Sequence, residues 1–141
     1  MAWSRPPDQA AEDHPAVVPF FAYGTFRPGG ASFHRVEDLL AGDPYPARVK
    51  GRLVVCSADH WPLLLPGEGT VVGDVLPMLA GVRLWDVLGD WEMAWGYSIR
   101  WVPLLPGEED GSAGRVLACV WEWPDYLGAE IPSGDWFDAR R

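Results

Sequence analysis

The sequence contains few of the residues on which disulfide-rich and metal-binding proteins depend. Its 141 residues include two cysteines and three histidines. Cys56 and Cys119 both lie in apolar stretches and no CxxC motif occurs, so we expect two buried free thiols. The histidines lack the spacing of metal ligands, which argues against a structural metal site. We therefore expect neither a metal nor a cofactor.

Basic residues and long apolar segments are also scarce. The chain has eleven Lys and Arg residues and twenty Asp and Glu residues. The resulting net charge of −9 argues against binding to nucleic acid or to anionic membranes. No run is long and apolar enough to span a membrane, and the first residues lack the apolar core of a signal peptide. We expect a cytoplasmic protein with a flexible tail at residues 1–15 and a single domain at residues 16–141.

Tryptophan and proline, in contrast, are abundant. Nine Trp residues suggest a core of large rings or an aromatic-lined pocket. Fourteen Pro residues favour short strands and rigid loops over a helix bundle.

Hydrophobic periodicity predicts an α+β fold, a small mixed five- to six-stranded barrel-like sheet with two main helices. The predicted strands cover residues 16–25, 46–57, 61–66, 70–78, 97–105 and 115–123. The predicted helices cover residues 31–41 and 80–92. The Pro-bounded strand 61–66 is expected at a sheet edge, followed by a turn at residues 67–69, with Gly73 as a candidate bulge.

The first strand has apolar residues on both faces, which is typical of a central strand, and it leads into Tyr23-Gly24-Thr25. A Gly-bearing turn at a strand end can present backbone N–H groups to a carboxylate or a developing oxyanion. The same residues also fit a turn that simply ends the strand. The next arginine, Arg27, and then Arg35 are candidates to balance an anionic ligand.

Glu92 follows the apolar face of the second predicted helix at helical spacing. On that face we expect partial desolvation to raise the pKa of the carboxyl and to suit it to proton transfer. A solvated Glu at a helix end is the alternative. Further along, Tyr97 and Arg100 face opposite sides of a regular strand and either can be structural. The local context suggests no Ser-His-Asp or Cys-His pairing.

Four segments together resemble the gamma-glutamylcyclotransferase-like family. They are Phe21-Ala22-Tyr23-Gly24-Thr25-Phe26-Arg27-Pro28-Gly29, Val72-Gly73-Asp74-Val75-Leu76, Leu88-Gly89-Asp90-Trp91-Glu92 followed by Tyr97-Ser98-Ile99-Arg100, and Ile131-Pro132-Ser133-Gly134-Asp135-Trp136. Each motif alone is weak, but the four occur in order over residues 17–136, which favours the functional interpretation of the loop and of Glu92.

The resemblance implies a small β-barrel with flanking helices and a cavity, and an enzyme that cyclises a γ-glutamyl group to 5-oxoproline. Carried over residue by residue, Glu92 would be the catalytic acid and base. Tyr23, Gly24, Thr25 and Phe26 would bind the glutamyl group of a small γ-glutamyl compound, largely through backbone atoms.

Three departures from the family pattern leave the released amine open. Phe26 replaces a usual Leu, Gly89-Asp90 replaces Leu-Asp, and Asp74 replaces Glu. The cavity could also be unusually aromatic, with Trp61, Trp91, Trp95 and Trp101 as candidates. A catalytically silent member that binds a small acid or a protein partner is the alternative function. Self-association through aromatic surfaces (monomer or homodimer) and the position of the acidic loop 107–112 relative to the pocket stay open.

Overall fold

One curled sheet organises the chain. The computed structural model describes residues 17–58, 60–79, 82–91, 96–105 and 114–139, so the predicted tail 1–15, the acidic loop 107–112 and Glu92 lie outside the described residues. Within these ranges the strands are β1 (Val17–Ala22), β2 (Tyr45–Cys56), β3 (Pro62–Leu79), β4 (Ser98–Pro103), β5 (Arg115–Val120) and β6 (Leu127–Glu130). The helices are α1 (Val82–Trp91) and α2 (Trp136–Ala139). The predicted α+β fold is confirmed, and no described helix has the length and apolarity needed to cross a membrane.

Strand β1 is central, as its two apolar faces predict. The order of strands in the sheet is β4-β5-β1-β3-β2-β6. Strand β1 pairs antiparallel with β3 and parallel with β5. Phe20 and Phe21, which point to opposite faces, are both fully buried, so each face of β1 carries part of the core.

The sheet curls toward a barrel because distant strands meet at its ends. Val49 of β2 forms an isolated bridge with Leu104, just after β4. The amide of Leu105 donates to the carbonyl of Arg48 at 3.0 Å. Beyond β5, the amide of Trp121 donates to the carbonyl of Leu64 at 2.9 Å and joins that end of the chain to β3.

Strand β3 corrects the prediction of two strands separated by a turn. Residues 62–79 form one continuous strand, and its first part pairs with β2 rather than lying as a separate edge strand. The register between the two strands shifts where Lys50 pairs with Thr70 and Arg52 pairs with Leu65, so residues 66–69 form a bulge at the predicted turn, whereas Gly73 keeps a regular register with Ala47. The predicted bulge at Gly73 is therefore wrong, and the predicted turn at 67–69 is an irregularity within one strand. The other strands match their predicted positions within about three residues, and β6 and α2 were not predicted.

The predicted helix at 31–41 is instead a pair of 3-10 turns, at Phe33–Arg35 and Glu37–Leu39. Apolar residues spaced by three suit a 3-10 turn, which has three residues per turn, as well as an α-helix. The following residue, Leu40, bridges to Met78 of β3 and draws the chain into extended backbone. The predicted second helix is confirmed as α1.

The core has a cluster on each face of the sheet. On one face Leu84 and Leu88 of α1 pack in a cluster with Phe20, Leu76 and Leu117. The opposite face holds a second cluster that includes Phe21, Val49, Val71, Val116 and the buried ring of Trp136. Cys56 and Cys119 are both buried and do not form a disulfide, as predicted.

Candidate functional site

The loop after β1 consists of two consecutive β-turns. The carbonyl of Gly24 accepts from the amide of Arg27 at 3.1 Å, and the carbonyl of Arg27 accepts from the amide of Gly30 at 2.7 Å. Pro28 and Gly29 occupy the central positions of the second turn, where Gly29 has φ +88°. A type II turn requires this combination, because proline presets the first φ and glycine tolerates a positive one. The local sequence therefore fixes the path of the loop.

The first turn presents a short row of backbone amides. Gly24 and Phe26 are buried and Thr25 is partly buried. None of these three N–H groups donates a hydrogen bond to a backbone carbonyl of the described residues. Because buried N–H groups in folded proteins are almost always paired, such a row suits a bound acceptor such as a carboxylate or an oxyanion.

A cavity of about 120 Å³ lies against this loop. It is lined by Phe20, Phe21, Ala22, Tyr23, Gly24, Thr25, Phe26, Ser32, Trp61, Pro62, Tyr97 and Cys119. All four residues predicted to bind substrate, Tyr23, Gly24, Thr25 and Phe26, lie on its wall. Ser32 was missed by the sequence reasoning, because no pattern marks it; its amide donates to the carbonyl of Thr25 at 2.9 Å.

Tyr23 is bound into the scaffold at its tip. Its hydroxyl donates to the carbonyl of Cys119 on β5, and its ring stacks on Phe21 with centroids 6.2 Å apart. These contacts fix the start of the loop against the neighbouring strand. This tie to the scaffold fits the expectation that ligand contacts in this loop are made largely by backbone atoms.

Arg27 does not serve as a free cation for a ligand, which corrects one of the candidate roles. Its Nε donates to Asp74 at 2.8 Å and its Nη1 donates to Asp135 at 2.9 Å. Its guanidinium also lies over the ring of Phe137, 4.3 Å from the centroid. Arg35 is exposed and is not part of the cavity wall. The positive charge at Arg27 is therefore used to hold the loop in place.

Asp135 connects the last motif to the first. Besides Arg27, its carboxylate accepts from the amides of Phe137 at 3.0 Å and Asp138 at 3.4 Å, which caps α2. The adjacent Trp136 is buried. No local pattern indicates that Asp135 pairs with Arg27, because the two residues are 108 positions apart.

Aromatic residues form the far wall of the cavity. The hydroxyl of Tyr97 donates to the carbonyl of Pro62 at 2.7 Å, and the neighbouring Trp61 is 46% exposed. Of the tryptophans predicted to line the cavity, Trp61 does so among the described residues. Trp101 instead packs beneath the guanidinium of Arg115, 4.4 Å from the ring centroid. The Trp91 side chain and all of Trp95 lie outside the described residues.

Helix α1 ends at Trp91, and the predicted catalytic residue Glu92 lies outside the described residues. Leu84 and Leu88 of this helix belong to the same buried cluster as Phe26 of the loop. The buried face of α1 is therefore joined to the loop through one continuous cluster of side chains. The described residues contain no group of His, Cys, Asp and Glu that could hold a metal ion.

The comparisons with known proteins identify the family and the fold. A family model described as "Gamma-glutamyl cyclotransferase, AIG2-like" matches residues 20–138. An uncharacterized protein from Pyrococcus horikoshii has 19% identity and a TM-score of 0.64, with 87% of this chain and 92% of that chain covered. YkqA from Bacillus subtilis has 22% identity and a TM-score of 0.66, with 88% and 41% covered. An AIG2-like protein from Mus musculus has 21% identity and a TM-score of 0.61, with 86% and 95% covered. At these identities the structural likeness shows a shared fold only. The search of curated proteins gave no match.

Proposed function

The chain belongs to the gamma-glutamyl cyclotransferase, AIG2-like family, and we propose that it cyclises the γ-glutamyl group of a small amide to 5-oxoproline. The α-amine of the substrate attacks its own γ-carbonyl carbon and forms a five-membered ring. The bond from that carbon to the nitrogen of the released amine breaks. This leaving nitrogen takes up the proton that the attacking nitrogen loses.

The row of amides at Gly24, Thr25 and Phe26 is the observation that carries this proposal. An acyl transfer builds negative charge on the carbonyl oxygen, and preorganised N–H groups facing a cavity stabilise it in the transition state. With Arg27 bound by Asp74 and Asp135, these backbone amides are also the groups best suited to the substrate's carboxylate. The loop therefore supplies both the binding and the electrostatic part of the reaction.

We assign Glu92 as the general acid and base. In the sequence Glu92 follows Leu88 by four residues, the same interval that separates the buried Leu84 and Leu88, and four residues is the spacing of neighbours on one helix face. One carboxylate can take a proton from the α-ammonium group, which frees the nitrogen lone pair for attack, and deliver that proton to the leaving amine. Since the substrate supplies its own nucleophile, the protein needs no covalent intermediate.

The energetics favour an enzyme with so few catalytic groups. Holding the amine against the γ-carbonyl in a folded conformer can contribute about 7–11 kcal/mol through orientation alone. A positioned acid and base typically adds a factor of about 10² to 10⁴ in rate. We propose that Tyr23, Gly24, Thr25 and Phe26 provide the first contribution and Glu92 the second.

The test is release of 5-oxoproline from a panel of γ-glutamyl amines and γ-glutamyl amino acids. Wild type should turn over at least one member, and Glu92→Gln should lower kcat by roughly 10² to 10⁴-fold with little change in the melting temperature. Asp86→Asn, on the exposed side of α1, is the matched control and should retain full activity. Binding of γ-glutamyl compounds without any turnover would favour a catalytically silent member of the family.

Two buried thiols bear on the compartment. Cys56 and Cys119 do not form a disulfide, which suits a reducing compartment, and we propose a cytoplasmic location. Localisation of a tagged full chain by microscopy or cell fractionation would test this.

A further inference from the structure

A second cavity, of about 240 Å³, lies beside the first. It is lined by Cys56, Ala58, Trp61, Leu63, Tyr97, Trp121 and Tyr126. Trp61 and Tyr97 line both cavities, so the two spaces are neighbours across these rings. The two cavities therefore share part of one wall, next to the Tyr23–Phe26 loop.

Four of the seven residues that line the second cavity are aromatic. No charged side chain lines it among the described residues. Trp121 packs edge-on against Tyr97 at 5.6 Å and against Tyr126 at 6.4 Å. The indole N–H of Trp121 donates to the carbonyl of Asp125, and the Tyr97 hydroxyl donates to the carbonyl of Pro62, so these two polar groups are already paired within the protein. Apolar cavities of about 150 Å³ can hold a benzene molecule, so a phenyl group fits here.

Tyr126 is held in the cavity wall by a backbone conformation that does not suit it. Its φ is +65°, a region that glycine favours and a bulky residue adopts only under strain. Its carbonyl accepts from the amide of Ser57 at 2.8 Å, which holds the turn against β2. The residue is 56% exposed, and its ring contacts Trp121 in the wall of the cavity.

We propose that the second cavity binds the leaving amine of the substrate, and that this amine carries an aromatic group without charge. The inference rests on the proposed function and specifies its substrate class as γ-glutamyl arylalkyl amides. The α-amine attacks the γ-carbonyl carbon, the bond from this carbon to the arylalkyl nitrogen breaks, and one proton moves from the attacking to the leaving nitrogen. The products are 5-oxoproline and the free arylalkyl amine, with no water consumed.

The test compares γ-glutamyl phenethylamide with γ-glutamyl ethylamide, which lacks the ring. For wild type, kcat/KM for the phenethylamide should be roughly ten- to a hundredfold higher, the gain expected from burying one phenyl group. Tyr126→Gly removes the ring in a residue type that suits the backbone, so the melting temperature should not fall while the preference shrinks toward unity. Trp123→Ala removes an exposed ring that lines neither cavity, and it should retain the wild-type preference.

Equal kcat/KM values for the two amides in wild type, or an unchanged preference in Tyr126→Gly, would overturn the inference. If neither amide is turned over, the proposed function fails, and binding of N-phenethylacetamide then decides this inference separately. Titration by NMR should show that wild type binds this neutral probe, more tightly than it binds N-ethylacetamide, and that Tyr126→Gly weakens the binding. Absence of binding by wild type would overturn the assignment of the cavity.

Discussion

Replacing Arg27 by alanine removes the contacts that tie three distant segments together. The guanidinium bonds Asp74 of β3 at 2.8 Å and Asp135 at 2.9 Å, and it lies over the ring of Phe137. Its side chain is 11% exposed, and those of Asp74 and Asp135 are 18% and 28% exposed. These contacts are therefore only weakly screened by water.

The loss of unfolding free energy in Arg27→Ala follows from the number of hydrogen bonds that Arg27 makes and from their burial. A hydrogen bond to a charged group contributes about 1.5–3 kcal/mol, and breaking a buried ion pair costs about 3–5 kcal/mol. Because both carboxylates are partly exposed, we expect Arg27→Ala to lower the unfolding free energy by about 3 kcal/mol, near the lower end of the range for a buried ion pair. In a domain of this size that corresponds to a fall in Tm of about 10 °C.

Urea unfolding and thermal melting of the full chain measure this effect. Arg52→Ala is the matched control, because Arg52 bonds Glu130 at 2.7 Å with both side chains about half exposed. Exposed pairs of this kind contribute less than about 1 kcal/mol. In a double-mutant cycle, Arg27→Ala and Asp74→Asn should show a coupling of about 1 kcal/mol or more. The reasoning is refuted if Arg27→Ala destabilises the chain no more than Arg52→Ala does.

Two further perturbations test the turn at the end of the chain and the acid sensitivity of a surface pair. Gly134 has φ +70°, and an added Cβ would lie 1.9 Å from the carbonyl oxygen of Thr70. Gly134→Ala should therefore lower the unfolding free energy by more than about 2 kcal/mol. A urea midpoint equal to that of wild type would contradict this. The hydrogen bond from Arg83 holds the pKa of Asp38 below its ordinary value of 3.8. As the pH falls below 3.8, Asp38 therefore takes up a proton in the unfolded state before it does so in the folded state. The small contribution of the Arg83–Asp38 pair to stability is lost over this range. The difference in Tm between wild type and Asp38→Asn should therefore be present at pH 7 and shrink toward zero as the pH falls toward about 2; a constant difference would show that the pair does not titrate as described.

Local patterns predicted the elements whose structure is decided locally. The two apolar faces of β1 predicted a central strand, and the apolar periodicity of residues 80–92 predicted the helix α1. Gly24 likewise indicated a turn at the end of the first strand, which the structure contains. In each case the residues that specify the conformation are adjacent in sequence.

Strand β3 shows why other elements could not be predicted. Gly67 and Gly69 indicated a turn, but each lies where β2 approaches closely: a Cβ on Gly67 would lie 2.4 Å from Arg52, and one on Gly69 would lie 3.0 Å from the carbonyl oxygen of Gly51. Glycine at a close approach and glycine in a turn give the same sequence signal. The partner strand decides between them, and that information is not local.

The site was predicted in part for the same reason. The Tyr23–Phe26 loop could be found because a strand end and a turn adjoin in sequence. The role of Arg27 could not, because its partners Asp74 and Asp135 are 47 and 108 residues away. Tyr97 was recognised as a motif residue, but its place between two cavities depends on its contacts with Pro62 and Trp121.

The central claim is that the γ-glutamyl group closes on its own α-amine, and the identity of the product tests it most directly. The full chain would be incubated in water enriched in oxygen-18 with γ-glutamyl phenethylamide, γ-glutamyl ethylamide and γ-glutamyl amino acids, and the products analysed by mass spectrometry. The account predicts 5-oxoproline without the heavy isotope, in equal amount to the released amine, and its loss in Glu92→Gln. Glutamate that contains one atom of oxygen-18 would show hydrolysis instead, and would contradict the account.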